Sequence, residues 1–345
     1  MIEGIPTIWL TVALAVAALV VLGASLRLTA LADVIADRTG FGEAVVGAIA
    51  LGAATSLSGM VVSVTAALGG DAALAFSNGV GGIAVQTLFL AIADLTYRRA
   101  NLEHAAAEPA SLFQATLLLL LLSIPLLAHL IPDITVLGVN PASILLALVY
   151  VWGMRVAARV RAEPMWTAVS TDATRLDEPE DEEEAGKSAR GAITAFLALM
   201  CVLAMAGWVI SVIASGFITR FGLSASIVGA LMTAVITSLP ELVTTLAAVR
   251  RGALQLAVGG IIGGNTFDVL FLTASDIGYR QGSLYHAIGP GDLFWLATGL
   301  AMTSVLLLGL ILRERNGPAR IGTESIALIV LYCLAVGLAA TQLAL

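Results

Sequence analysis

The sequence predicts an all-α polytopic membrane protein, with ten transmembrane helices arranged as two inverted five-helix repeats. Three observations lead there. Of the 345 residues, 59% are hydrophobic and only 12% charged, and the mean hydropathy is +0.98. That is more apolar surface than a soluble domain can bury. Apolar stretches of roughly 20 residues or more, the length that crosses a bilayer, recur ten times. They lie at about 8–30, 42–68, 72–96, 111–131, 141–161, 191–217, 224–249, 253–278, 291–312 and 322–344. Finally, the chain matches itself at a shift of 182 residues without a gap.

The first span follows a segment whose only charge is Glu3. Without a basic n-region, it is expected to be retained as a span and not cleaved as a signal peptide. The first five spans form one repeat, residues 1–161, with a polar core at about 42–96. The loop 162–190 follows, carrying Asp177-Glu178-Pro179-Glu180-Asp181-Glu182-Glu183-Glu184. Such a run is expected as a solvated linker, since it lacks the spaced ligands and glycine of a Ca²⁺ loop. The last five spans form the second repeat, residues 191–345, with its core at about 224–278.

In the self-match, Gly47-Ala48 falls on Gly229-Ala230 and Thr55-Ser56-Leu57 on Thr237-Ser238-Leu239. Gly81-Gly82 meets Gly263-Gly264, and Leu88-Phe89-Leu90 meets Leu270-Phe271-Leu272. Asp94, Tyr97, Arg98 and His104 fall on Asp276, Tyr279, Arg280 and His286. An odd number of spans per repeat puts the halves in opposite orientations, with a site expected where they meet at the membrane midplane.

Lys and Arg set the orientation. With both termini outside and the loop 162–190 cytoplasmic, only Arg220 and Arg280 remain on the outer side. The expected location is a plasma (inner) membrane. Cys201 and Cys333 sit in spans and are expected as small buried core residues, not a disulfide. Trp152, Trp166 and Trp295 are expected at the membrane interfaces. Asp94 with Arg98, and Asp276 with Arg280, are spaced four apart, as helix-end ion pairs would be.

The chemistry concentrates in Thr237-Ser238-Leu239-Pro240-Glu241. An acid at the centre of a span costs roughly 2.5 to 3.5 kcal/mol. Pro240 breaks the helical ladder, and Thr237 and Ser238 offer hydroxyl and backbone oxygens to the break. The next span holds Gly259-Gly260-Ile261-Ile262-Gly263-Gly264-Asn265-Thr266-Phe267-Asp268, in which Asn265 and Asp268 share a helix face. Glu241 and Asp268 can thus converge from neighbouring helices. Oxygen ligands of this kind suit hard cations such as Ca²⁺ and Na⁺.

These two segments resemble the second α-repeat of the cation/Ca²⁺ exchanger superfamily, whose repeats read roughly G-T-S-x-P-E and G-N-x-x-G-S-N-x-x-(D/N). The ten-span, five-plus-five plan extends the resemblance over nearly the whole chain. It implies four short broken helices, spans 2, 3, 7 and 8, around the ions, with spans 1 and 6 sliding past them. The first repeat departs from the pattern. Ser58-Gly59 stands where Pro-Glu is expected, Gln86 matches Asp268, Ile83 matches Asn265, and Gly82 and Gly264 replace serines.

The expected function is a secondary antiporter, exchanging Ca²⁺ for Na⁺ or H⁺ by alternating access. Glu241 and Asp268 are the expected metal ligands. Thr55, Thr237, Ser56, Ser238, Gln86 and Asn265 are the expected oxygen-bearing lining. Two carboxylates balance one Ca²⁺, or one Na⁺ plus a proton, better than three Na⁺. Desolvation favours the protonated form of any buried carboxylate, which makes proton coupling physically plausible. An antiporter for another cation, and a degenerate non-transporting sensor or partner subunit, remain as alternatives. The partners expected are small cations and the lipid bilayer. No nucleic-acid motif, cofactor motif or Walker sequence stands out, Ser56-Leu57-Ser58-Gly59 lacks the G-x-S-x-G of a hydrolase, and nothing sets an oligomeric state.

Overall fold

The computed structural model describes residues 4–39, 43–97, 99–174, 189–318 and 321–341. The described residues are helical and contain no strand. Among the described residues eight helices are long and apolar enough to cross a membrane, and a bent pair makes a ninth. The predicted second span corresponds to α2 (Glu43–Leu68), of which Thr55–Leu68 counts as a shorter apolar helix. The acidic run 177–184, Arg98 and Arg320 lie outside the described residues.

Burial sorts the helices. α3 (Ala72–Thr96) is 78% buried over its apolar window, against 22% for α1 (Thr7–Thr39). α3 is the hub. It packs against α2, α11 (Leu254–Asp268), α14 (Pro290–Leu312) and α15 (Thr323–Thr341). α5 (Pro109–Leu130) and α6 (Pro141–Ala162) complete the bundle. α1 and α7 (Ala189–Phe221) pack on each other and on α2, through a separate apolar cluster of Val21, Leu28, Val62, Leu203 and Ile210. Each has 33 residues, and at 1.5 Å per residue each runs about 50 Å. The pair is longer than the bilayer core and stands outside the polar centre.

The predicted seventh span is broken. It runs through α8 (Ala225–Ile227), a π turn at Val228–Thr233 and α9 (Ala234–Thr237), bends 45° at Ser238, and continues as α10 (Leu239–Arg251). Pro240 lies in the first turn of α10, where its missing N–H costs nothing. Gly81 makes the break fit, because a Cβ there would overlap Ala230 Cα, so α3 and the π turn touch backbone to backbone. α11 ends at Asp268, and α12 (Leu270–Gly278) continues after Val269.

The 182-residue shift reappears in the hydrogen bonds. Asp94 accepts from Leu102 N at 2.8 Å and Gly322 N at 2.8 Å. Asp276 accepts from Leu284 N at 2.9 Å and Asn140 N at 2.8 Å, and from Ser143 Oγ at 2.7 Å. Every residue in the first set has its partner in the second at the same shift. This corrects the expected role of Asp276, while the expected pair of Asp94 with Arg98 lies outside the described residues. Among the described residues no ion pair joins Asp276 to Arg280. A carboxylate accepting backbone N–H bonds is better satisfied than one in an exposed ion pair, so each acid ties two connecting segments to a helix end.

Two further expectations are corrected. Cys201 and Cys333 are free, as expected, but exposed on the outer face of their helices. An apolar exterior in lipid accepts a small thiol as readily as a core does. Trp295 is 1% exposed and packs on Phe294 and Tyr332 inside the bundle, whereas Trp152 and Trp166 are exposed.

Candidate functional site

The bend at Ser238 places Glu241 in the first turn of α10 and opens a small cavity towards α3 and α11. Glu241 and Asp268 both line it, at 5% and 2% exposure. The start of a helix offers free N–H groups and the positive end of its dipole, which suits a carboxylate. Gln86 reaches in from α3 and donates from Nε2 to Asp268 Oδ2 at 2.7 Å and to Ser238 Oγ at 3.2 Å. Gln86 and Asp268 are themselves 182 residues apart. Equivalent positions of the two repeats therefore touch, which puts the site on the pseudo-two-fold axis between them.

Ser56 and Thr237 also line the cavity. Thr55 lies against Glu241, and Ser56 against Asp268. Thr237 donates to Thr233 O at 3.0 Å, so its hydroxyl closes the π turn. Of the predicted lining residues Thr55 does not line the cavity, and neither does Asn265. Asn265 is fully buried, and its amide donates to Thr87 Oγ1 at 3.0 Å. Sharing a face with Asp268 put the two side chains near α3, where they meet successive residues, Thr87 and Gln86.

Acceptors outnumber donors around this cavity. Glu241 Oε1 and Oε2, Asp268 Oδ1 and Gln86 Oε1 are buried, and none takes part in a hydrogen bond of standard geometry. An orphaned buried acceptor costs about 1–3 kcal/mol, more when charged, and folded proteins keep few of them. Four in one cavity wall, three of them carboxylate oxygens, form a wall that protons or a cation would complete. Among the described residues no three His, Cys, Asp or Glu side chains are grouped to hold a metal ion. A cation here would rely on two carboxylates plus amide, hydroxyl and backbone oxygens, the donor set of hard ions.

Asn78 was not among the expected site residues. It lines the cavity and braces it, donating to Gly59 O at 3.0 Å and Ser63 Oγ at 2.9 Å, and accepting from Thr233 Oγ1 at 2.6 Å. Phe271 was missed as a lining residue. Its ring covers Gly59, where a Cβ would lie 2.8 Å from Phe271 Cε2 and 3.3 Å from Thr237 Oγ1. The place opposite Glu241 in the first repeat is thus filled by an aromatic ring and not by an acid. The Leu-Phe-Leu match between the repeats was the one signal that pointed at Phe271.

The fold resembles a crystal structure of the H⁺/Ca²⁺ exchanger CAX, with TM-score 0.61 and 14% identity over 96% of this chain and 87% of that one. It also resembles the sodium-calcium exchanger NCX_Mj, with TM-score 0.57 and 18% identity over 96% and 99%. At these identities the likeness shows the fold. Inner membrane protein YrbG of Escherichia coli (strain K12) is 35% identical over 91 residues, and that match spans about a quarter of each chain, 26% of this one and 25% of the relative. The family model for the sodium/calcium exchanger protein matches residues 9–156 and 191–341. The chain is a multi-pass membrane protein, and it belongs to the sodium/calcium exchanger family, whose members are secondary transporters and not enzymes.

Proposed function

We propose that the protein is a secondary active antiporter, exchanging Ca²⁺ for Na⁺ or H⁺ by alternating access at the Glu241–Asp268 cavity. The observation that carries this is the surplus of buried acceptors, Glu241 Oε1 and Oε2, Asp268 Oδ1 and Gln86 Oε1, on the axis between the two repeats. Glu241 is the principal cation ligand, and Asp268 a second ligand or proton acceptor. Gln86 holds Asp268 Oδ2, leaving Oδ1 for the ion. Thr55, Thr237, Ser56 and Ser238 supply hydroxyl or backbone oxygens, and Asn265 supports α11 against α3.

Phe271 over Gly59 limits the cavity to two carboxylates. They match the charge of one Ca²⁺, of two protons, or of one Na⁺ plus a proton. Competition of these ions for the same oxygens couples their fluxes. Residues 1–161 and 191–345 act as the two halves, with α1 and α7 as the moving pair, since they pack on each other outside the polar centre. We place both termini outside and the loop 162–190 in the cytoplasm, at the end of the bundle where Arg161 pairs with Glu108 and Arg315 with Asp172.

The test is ⁴⁵Ca²⁺ uptake into proteoliposomes, driven in turn by an outward Na⁺ gradient and an outward proton gradient, with Glu241→Gln beside the natural protein. Uptake driven by one gradient and abolished by the substitution supports the assignment and names the counter-ion. Normal exchange by Glu241→Gln overturns it. No uptake under either gradient favours another cation or a non-transporting relative.

A further inference from the structure

The two repeats use the same clamp at opposite ends of the bundle, but fill the space beside it differently. Next to Asp276 stand Tyr285 and Ser143, with Tyr285 Oη 2.8 Å from Ser143 Oγ, and Ala142. One carboxylate there meets three donors. At the shift of 182, the residues next to Asp94 are Glu103, Ser325 and Glu324. Glu103 lies in the short helix α4 (Leu102–Ala105), and Glu324 in the first turn of α15. They are 1% and 5% exposed. Leu102 N and Gly322 N serve Asp94, and Ser325 Oγ is buried without a hydrogen bond. All four carboxyl oxygens of Glu103 and Glu324 are buried without a hydrogen bond to a donor among the described residues.

The two acids face each other. Asp94 and Glu324 are the acids that act on Glu103, and Glu324 lies within hydrogen-bonding reach of its carboxyl. A Cβ at Gly309 or Gly322 would overlap Glu324, so its carboxyl is gripped from α14 and from the turn before α15. Among the described residues the bases nearby make their hydrogen bonds elsewhere, and Arg313 Nε is buried without one. His104 Nδ1 lies 2.7 Å from Arg313 O, and Nε2 lies 2.9 Å from Thr171 Oγ1. Arg313 donates to Val169 O at 3.0 Å and His104 O at 3.2 Å. Arg315 pairs with Asp172 at 2.7 Å, and Glu314 accepts from Thr323 Oγ1 at 2.5 Å. Among the described residues no charge of opposite sign answers the pair, and two carboxylates in contact cannot both stay ionised without one. The grouping is not one that holds a metal ion.

We infer that Glu103 and Glu324 form a proton-binding site of their own, separate from the central cavity, in which one carboxylic acid donates to the other's carboxylate. Binding adds one proton from solvent to the pair and release returns it, with no other bond made or broken. The fold does not require the acids, because the other repeat builds the same corner from Tyr285 and Ala142. Burial, reinforced by the Asp94 and Glu324 charges, pushes Glu103 well above the usual glutamate range. The proton is therefore held at pH values where an exposed glutamate has lost it. The site lies beneath the first residues of the central loop, which His104, Arg313 and Arg315 fasten over it. Its release sets two like charges against each other under that loop and loosens α4 from α15.

The test is infrared difference spectroscopy of the full-length protein in detergent, titrated from about pH 5 to about pH 9 in H₂O and D₂O. Glu241→Gln/Asp268→Asn removes the two acids of the central cavity. In that protein a deuterium-sensitive band of protonated carboxylic acid persists at about pH 7, and adding Glu103→Gln removes it. Absence of the band at that pH, or its survival in Glu103→Gln, overturns the proposal. Thermal unfolding gives a second measurement that needs only single substitutions. A carboxyl raised in the folded state gives stability that is present below the unfolded value and lost as pH rises towards the folded one. The natural protein therefore loses melting temperature across that range, while Glu103→Gln or Glu324→Gln flattens the loss. Equal slopes in all three proteins sink the assignment.

Discussion

Asp268→Asn separates charge from shape. Asp268 Oδ2 accepts from Gln86 Nε2 at 2.7 Å, and Oδ1 has no partner. Asparagine can keep its carbonyl oxygen towards Gln86 and turn its NH₂ to the former Oδ1 position. The packing is retained, and what disappears is one of the two negative charges in the cavity. Removing one member of a buried ion pair costs about 3–5 kcal/mol. Coulomb's law gives a similar figure, about 4 kcal/mol for unit charges 4 Å apart at an effective dielectric of 20. At 1.4 kcal/mol per decade, apparent Ca²⁺ affinity falls by roughly a hundredfold to a few thousandfold. Melting temperature in the absence of Ca²⁺ should hold or rise, because an unanswered buried charge is gone. The assay is ⁴⁵Ca²⁺ uptake against external Ca²⁺, with unfolding followed by circular dichroism. An apparent affinity within about threefold of the natural protein, about 0.7 kcal/mol, would show that Asp268 does not bear on the ion.

Other substitutions probe the frame. Gly81→Val drives a branched side chain into Ala230 and should cost at least about 1–3 kcal/mol, read as lost monodispersity on size-exclusion chromatography. Gly59→Ala sets a methyl against Phe271 and should slow uptake, with Phe271→Ala in the same protein restoring part of the rate; no rescue would mean that the ring is not what limits Gly59. Asp276→Asn loses charge-assisted bonds to Asn140 N, Leu284 N and Ser143 Oγ, each worth about 1.5–3 kcal/mol. Limited proteolysis should then cut the segment before α6 first, and unchanged resistance would refute the clamp.

The features legible in the sequence were those that are expensive in a membrane. Glu241 and Asp268 stood out because acids in apolar spans need a reason, and Pro240 because it cannot continue a helix; the structure brings all three to one break. The repeat was legible because polar residues matched in register, and the hydrogen bonds of Asp94 and Asp276 carry that register into α6 and α15. What escaped depended on which side chain fills which space. Helical spacing put Asn265 with Asp268 but could not say that Thr87 would take its amide. Spacing of four offered Arg280 to Asp276, whereas backbone N–H groups from distant segments claimed the carboxylate. Trp295 read as an anchor because indole suits interfaces, but its ring packs inside the bundle. The contact of Phe271 with Gly59 joins two helices of different repeats, and no local pattern announces it.

The contact of Gln86 with Asp268 bears on how such a chain arises. A position on a two-fold axis meets its own copy whenever two identical chains pair. Two separate, identical five-helix proteins would therefore place acid against acid there, or amide against amide. Joining the halves into one polypeptide lifts that constraint, since each copy of the position mutates alone. An amide can then hold a carboxylate by one oxygen and leave the other open, which is the arrangement at the centre of this protein.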